Sequence, residues 1–295
     1  MLMPILMTGE APTTENERVM VSHTDKAIHF RQLHRGPAVL ILPNAWDVAS
    51  ARIFEQTGFP AIATTSAGIA FSLGYPDGQR IPREEMLARI GRIARAVHVP
   101  VTADVESGYG STAEDAAKTT RELIKAGVVG MNLEDASGRQ DQPLSSLELA
   151  VEKIRAARQA AVQMQAQIVI NARTDIYLLS GGNPDADYNE TLRRLLAFRD
   201  AGADCVFAPG LKDAAMISRL AKAVECPLNI LAGVGSPAIP ELAKLGVARV
   251  SVGSGPMRAT LGLLRRMAEE LKTSGTYTNM EGAVPHGELN KMFGG

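Results

Sequence analysis

A chain of 295 residues, 45% of them hydrophobic, can bury a large core as one barrel-sized domain or as two ordinary ones. A net charge of -1 with 4% aromatic residues gives no electrostatic footprint for nucleic acid or for an acidic membrane surface. No apolar run approaches the roughly 18 residues of a membrane span, and the opening MLMPILMTGE lacks the basic flank of a signal peptide.

Residues 1–23 read as a flexible N-terminal segment, and residues 24–295 as a single domain that no Gly/Ser/Pro linker divides. TDKAIHFRQLHRG (24–36) has the pattern of a capped helix ending at Gly36. From there one unit recurs: a short apolar run, a polar or glycine-rich tip, then an amphipathic helix. The first four runs are AVLILPNA (38–45), AIATTSAG (61–68), VPVTADVESG (99–108) and VVGMNLEDA (128–136). QIVINARTD (167–175), DCVFAPG (204–210), PLNILAG (227–233) and ARVSVGSG (248–255) follow. Between them lie segments of helical period such as MLARIGRIARAV (86–97), TAEDAAKTTRELIKAG (112–127) and LELAVEKIRAARQAA (147–161). Gly58, Gly127, Gly202 and Gly246 stand where helix C-caps are expected. Eight strand–helix units predict parallel pairing and an α/β fold of the (β/α)8 TIM-barrel type. An open doubly wound sheet is the alternative, weakened because no G-x-G-x-x-G follows the first run. The stretch from Pro256 supplies the eighth helix and GELNKMF (287–293) a short terminal one. Cys205 and Cys226, the only cysteines, begin strands in apolar surroundings, which predicts buried free thiols and a reducing, cytoplasmic setting.

In a parallel barrel the reactive side chains gather at the C-terminal strand ends. Side chains two apart on a strand share a face, which pairs Asp104 with Glu106, Asn132 with Glu134, and Arg173 with Asp175. Acids crowded on one rim repel unless a cation sits among them, and oxygen ligands without histidine suit Mg²⁺, with Mn²⁺ the substitute. Asp104 and Glu106 then form a metal shelf, and Gly108 and Gly110 let a substrate approach the backbone. The competing reading of such acids is that they cap the next helix. Arg173 fits a carboxylate or phosphate clamp, with a structural ion pair to Asp175 or Glu134 as its other role. Ser66, Ala67 and Gly68 end the second run, where a hydroxyl and free N–H groups can hold a carboxylate or simply form a turn. Asn44, Trp46 and Asp47 end the first run; Trp46 also suits packing, and Asp47 a helix cap. The glycines of VGSGP (252–256) fit a phosphate cradle or a tight turn equally. All five histidines lie away from strand C-terminal ends, which excludes a Ser-His-Asp triad.

PNAWDVASARIFEQTGFPAIATTSAGIA, ADVESGYG, NLEDA and NARTD, in this order, resemble the isocitrate lyase/phosphoenolpyruvate mutase superfamily over roughly residues 24–270. The resemblance implies a barrel whose eighth helix is exchanged between subunits of a homodimer or homotetramer. It implies Mg²⁺ held by Asp104, Glu106 and Glu134, partly through water. It implies a small carboxylate substrate bound by Ser66, Gly68 and Arg173, with Asp77 of GYPDG near the reacting centre. The lyases of that superfamily carry Lys-Lys/Arg-Cys-Gly-His after the fourth strand, where this chain has SGRQDQPL (137–144); the Lys and Asn of the phosphonomutases are absent from that loop too. Three functions follow: a Mg²⁺-dependent C–C lyase or decarboxylase of a small 2-oxo (di)carboxylic acid, oxaloacetate-like or methylisocitrate-like, working through an enolate; a mutase or hydrolase acting on a P–C bond; or a protein that binds a 2-oxo acid without turnover.

Overall fold

The computed structural model describes residues 22–179 and 184–294, and in it the apolar runs become nine parallel strands. These are β1 (Leu40–Leu42), β2 (Asn44–Ala45), β3 (Ile62–Thr64), β4 (Val101–Asp104), β5 (Gly130–Glu134), β6 (Val169–Arg173), β7 (Cys205–Phe207), β8 (Leu228–Leu231) and β9 (Arg249–Ser251). Around them run α1 (His23–Leu33), α2 (Val48–Gln56), α3 (Ser66–Ser72), α4 (Arg83–Ala96), α5 (Ala113–Lys125) and α6 (Leu147–Gln163). The helical layer continues through α7 (Ile176–Leu179), α8 (Pro184–Asp200), α9 (Ala214–Ala223), α10 (Ile239–Lys244), α11 (Gly255–Thr273) and α12 (His286–Met292).

The strand order is β1-β9-β8-β7-β6-β5-β4-β3-β2, and β1 and β2 are one run broken at Pro43. β1 pairs with β9 and β2 with β3, so this split run carries the sheet round into a barrel of eight staves. Proline has no N–H to give a ladder, which is why the run breaks there. Its carbonyl still accepts from Ala63 N at 2.9 Å. Asn44 repairs the seam: its amide nitrogen donates to Thr64 O at 2.8 Å, and its oxygen accepts from Val252 N and Gly253 N at 2.9 Å each. The open-sheet alternative therefore falls.

The helices end as their sequences require. Gly58, Gly127, Gly202 and Gly246 have φ of 92°, 88°, 108° and 91°, the left-handed values a C-cap glycine adopts at least cost. The flexible segment expected over 1–23 falls outside the described residues as far as 21. Its last two residues belong to α1, because Ser22 caps the helix by accepting from Asp25 N and His23 bonds Val128 O at 2.9 Å. A helix not expected from the sequence, α3, begins at Ser66, where the second run was read as strand. Thr65 caps it by accepting from Gly68 N at 3.2 Å, so Ser66, Ala67 and Gly68 lie on a first helical turn and not at a strand end.

α1 closes the N-terminal end of the barrel: Ala27 and Phe30 pack with Leu40, Leu42, Ala63, Val129 and Val169 near the strand starts. Gly130 makes room for this plug. A Cβ there would meet the Phe30 ring at 2.6 Å and Thr102 Oγ1 at 2.7 Å. Gly130→Ala is accordingly expected to lower stability by about 1–3 kcal/mol through overpacking, measured by denaturant unfolding. Cys205 is buried and Cys226 half-buried, both free thiols as expected, and burial pushes Cys205 up to about 12. No helix among the described residues is long and apolar enough to cross a membrane.

Candidate active site

Asp104 is the last residue of β4, and its carboxylate meets the N-terminus of α3. Ser66 gives it two hydrogen bonds, from Oγ at 2.8 Å and from the backbone N at 3.2 Å, both to Oδ2. Negative charge is favoured there because the first helical N–H groups have no partners within the helix. The residue's own N–H donates to Thr64 Oγ1 at 3.0 Å. Oδ1 is buried and has no hydrogen-bond partner in the protein. A carboxylate held by one oxygen with the other buried and unclaimed is built for something the protein does not itself supply.

Glu106 reaches the same place by a different route from the alternation expected. β4 ends at Asp104, and Glu106 has φ 51° in a left-handed turn that continues through Gly108 (94°) and Tyr109 (58°). The turn, not strand periodicity, aims its side chain. Its carbonyl accepts from Glu134 N at 3.0 Å, and Tyr109 Oη donates to its Oε1 at 3.3 Å. The two glycines also serve packing. A Cβ on Gly108 would touch Ala116 and Leu133 at 3.2 Å, and one on Gly110 would collide with Asp115. They let the turn lie flat on α5.

Glu134 ends β5 in register with Arg173 at the end of β6. Arg173 Nη1 lies 2.8 Å from Glu134 Oε2, and Nη2 donates to Asp175 Oδ2 at 2.9 Å, with Nε on the other oxygen of Asp175. The guanidinium carbon stands 5.8 Å from the centre of the Phe207 ring. Burial works against the charge on Arg173, but Glu134, Asp175 and Asp104 hold it protonated above the ordinary arginine range. The structural ion pairs foreseen as its other role are therefore present. Nε and Nη2 each give one N–H to Asp175, while the Nη1 contact with Glu134 is an ion pair without hydrogen-bond geometry, since Glu134 Oε2 has no hydrogen-bond partner.

The acids share one field. Glu106 is pushed up to about 8, first by burial and then by repulsion from Asp104 and Asp77. Burial raises Glu134 too, with Asp175, Asp104 and Glu106 adding to it against the pull of Arg173. Asp77 rises by desolvation and by Asp104, although its side chain reaches the surface of the loop after α3. Gly78 and Gln79 of that loop, Glu106, Ser107, Gly110, Ser111, Glu134, Ala136, Ser137 and Gly138 line a cavity of about 230 Å³. Among the described residues no three acidic, cysteine or histidine side chains are drawn up as a ready-made cage. A cation here would complete its shell with water or substrate oxygens, as Mg²⁺ commonly does. The fit rests on the free Asp104 oxygen and on the mutual repulsion, which a divalent ion relieves.

Other expected residues lie elsewhere. Asn44 spends its amide on the barrel seam. Trp46 and Asp47 line a separate cavity of about 310 Å³ with Arg89, Arg92 and Phe293, because α2 begins at Val48 and turns them outward. Asp47 caps α2, accepting from Ser50 N at 2.7 Å, which is the helix-cap alternative noted above. Asn132 sits inside the barrel, where its oxygen accepts from Asn171 Nδ2 at 2.8 Å and Arg249 Nη2 at 3.1 Å. In the α3 turn Ser66 N–H goes to Asp104 and Gly68 N–H to Thr65, so Ala67 N–H remains that turn's open donor. Gly68 is required because a Cβ would lie 2.5 Å from Thr65 Cγ2 and 3.1 Å from Trp46 Cβ. In the loop after β5, Arg139 pairs with Asp141 out in solvent. Sequence reasoning missed Ser107 and Gln79, which the turn and the loop after α3 bring to the cavity, and Tyr109, whose hydroxyl meets Glu106. It missed Asp135 as well, which is buried, accepts from Thr174 Oγ1 at 2.7 Å and Arg194 Nη1 at 3.0 Å, and ties β5 to β6 behind the site.

Comparison with known proteins gives the family. The sequence model of the phosphoenolpyruvate phosphomutase family matches residues 30–272. A Burkholderia cenocepacia protein carried under a provisional lyase/mutase name is 42% identical, with a TM-score of 0.87 over 92% of this chain and 97% of its own. The oxaloacetate decarboxylase of Pseudomonas fluorescens SBW25 is 31% identical over 82% of this chain and 83% of that enzyme. Oxaloacetate acetylhydrolase, solved with its product oxalate, is 26% identical, with a TM-score of 0.80 over 92% and 94%. An acid-rimmed barrel mouth matched over most of its length in these ways places the chain in the isocitrate lyase/phosphoenolpyruvate mutase superfamily.

Proposed function

We propose that the protein is a Mg²⁺-dependent lyase that decarboxylates a small 2-oxo dicarboxylic acid of the oxaloacetate type. The observation that carries this is the pairing of an intact acid mouth with a loop after β5 that contributes no acid–base side chain to it. Cleaving a C–C bond between two carbon fragments needs a positioned acid or base at the leaving fragment. Loss of CO₂ needs only that the electrons left behind be stabilised and later protonated. The named activities of two relatives point to the same substrate class, and a 230 Å³ cavity suits a four-carbon acid.

Asp104, Glu106 and Glu134 would hold the cation, and Asp104 has its unclaimed Oδ1 to offer. Mg²⁺, when bound, supplies Lewis-acid polarisation of the 2-oxo group. The remaining residues do what side chains can do alone. Arg173 directs the terminal N–H groups it does not give to Asp175 at a substrate carboxylate, and Ala67 N–H offers a further donor. Ser66 keeps Asp104 oriented through Oδ2. Tyr109, whose burial and acidic neighbours hold its hydroxyl well above the usual phenol range, stays protonated against Glu106. The loop bearing Asp77 and Gln79 covers the cavity and limits water.

The test is pyruvate release from oxaloacetate, with phosphonopyruvate and 2-methylisocitrate in parallel. Turnover of oxaloacetate that stops with EDTA and returns with Mg²⁺ or Mn²⁺ is expected. Turnover of phosphonopyruvate alone would assign P–C chemistry, and calorimetric binding of 2-oxo acids with no turnover would assign a binding protein.

The proposal includes assembly as a homodimer or homotetramer. α11 buries only Met257 in this chain, yet Leu261, Leu264 and Leu271 continue from it along one stripe and are 45%, 59% and 44% exposed. A second copy exchanging this helix would cover the stripe. Wild-type protein should elute as an oligomer and Leu264→Asp as a smaller, less stable species on sizing columns.

A further inference from the structure

α6 packs its small and apolar residues inward: Ala150, Ile154, Ala157, Ala160 and Ala161 are all buried. Lys153 falls in the same stripe, where helical periodicity calls for an apolar residue. It is 3% exposed, and among the described residues it makes no ion pair. Burial works against its charge, Asp115 and Glu134 attract it without touching it, and a buried ammonium is kept where its donors are used. Here they are: Nζ donates to Ser107 O at 2.9 Å and to Gly110 O at 2.8 Å.

Those two carbonyls bracket Gly108 and Tyr109, the stretch that follows directly on Glu106. Glu106 and Tyr109 are left-handed without being glycine, a conformation that persists only where its surroundings over-determine it. The surroundings are now identifiable. Thr119 Oγ1 of α5 takes the intervening carbonyl, Gly108 O, at 2.8 Å, and Gly108 N closes the turn onto Val105 O at 2.9 Å. Ser107 is also where the covering loop lands, since Gln79 Nε2 donates to its hydroxyl. One lysine on the outer helix thus anchors the chain on the C-terminal side of Glu106, at the residue next to it and again three residues on.

We propose that Lys153 is a positioning residue for Glu106: its ammonium clasps the carbonyls of Ser107 and Gly110 and so sets where the Glu106 carboxylate stands at the mouth. This rests on the reading above in which Glu106 helps hold a divalent cation. Lys153 touches neither cation nor substrate, and its effect passes through the turn.

The experiment is Mn²⁺ binding, by calorimetry and by electron paramagnetic resonance, to the full chain and to Lys153→Met, Lys153→Gln and Lys153→Arg. Loss of an outer-shell support of a metal site weakens affinity roughly 10- to 100-fold. Lys153→Met is expected to show a loss in that range with an altered Mn²⁺ spectrum, and Lys153→Gln, which keeps amide N–H donors without the charge, a smaller loss. Lys153→Arg, which keeps charge and donors, should recover part of the affinity. A folded Lys153→Met protein with wild-type Mn²⁺ affinity and spectrum would overturn the proposal and leave Lys153 a stabilising group only. Should Lys153→Met fail to fold, wild-type affinity in folded Lys153→Gln has the same meaning. Absence of Mn²⁺ binding by the wild type would instead remove the cation site itself, and so is distinguishable from failure of the clasp.

Discussion

Asp104→Asn is expected to abolish turnover while leaving the protein at least as stable as the wild type in metal-free buffer. The substitution keeps the shape and an oxygen for Ser66 N and Oγ, the only bonds to that carboxylate among the described residues. It removes one negative charge from a group in which Asp104 raises both Glu106 and Asp77. Relief of repulsion therefore offsets the weaker interaction with the α3 terminus. Activity should fall by roughly 10³-fold or more, about 4 kcal/mol of transition-state stabilisation at 1.36 kcal/mol per factor of ten. Thermal unfolding with and without Mg²⁺ separates the roles. Wild-type protein should gain stability on adding the ion, as any ligand of the native state provides, and Asp104→Asn should not. If Asp104 merely capped α3, the variant would lose stability in both buffers and keep its activity.

That the charge was there to be found owes much to how parallel barrels are written in sequence. Strands buried on both faces are near-continuous apolar runs, so each of the eight is visible against its amphipathic neighbours. Their polar tips stand out for the same reason, and Asp104, Glu106, Glu134 and Arg173 all reach the mouth. What was hidden depends on contacts between segments far apart in the chain. Thr65 reads as one more β-branched strand residue until Gly68 N is seen to donate to it, so α3 was missed, and with it the dedication of Ser66 to Asp104. Asn44 looked like a ligand because it ends a strand, but the break at Pro43 turns it into the tie across the seam. Glu106 was placed correctly by an argument that does not apply, since alternation stops at Asp104 and a left-handed turn takes over. Lys153 sits in a helical stripe whose pattern asks for alanine or leucine. Only the carbonyls of a turn more than forty residues earlier explain it.

Arg173 offers the second large effect, because its structural and binding roles can be separated. Arg173→Met would leave Glu134 and Asp175 buried without their cation, and breaking a buried pair in this way costs about 3–5 kcal/mol. Much of the protein should then be unfolded or metal-dependent for folding, which shows only that the ion pairs matter. Arg173→Lys is the sharper variant. Lysine keeps the positive charge but is a point donor, so it can satisfy Glu134 or Asp175 but cannot bridge Glu134 at 2.8 Å while gripping both oxygens of Asp175. A stability loss of about 1–2 kcal/mol is expected from that half-broken network. The terminal N–H groups not given to Asp175 vanish with the fork, and with them the clamp on a substrate carboxylate. The KM for oxaloacetate should rise roughly 100-fold, about 2.7 kcal/mol, while Mn²⁺ affinity stays within a few fold of wild type. Steady-state kinetics at saturating metal, set beside calorimetric Mn²⁺ titration, reads the two apart. An unchanged KM in a less stable Arg173→Lys would confine Arg173 to holding the acids in place, and the carboxylate of the substrate would then have to be held by the α3 turn alone.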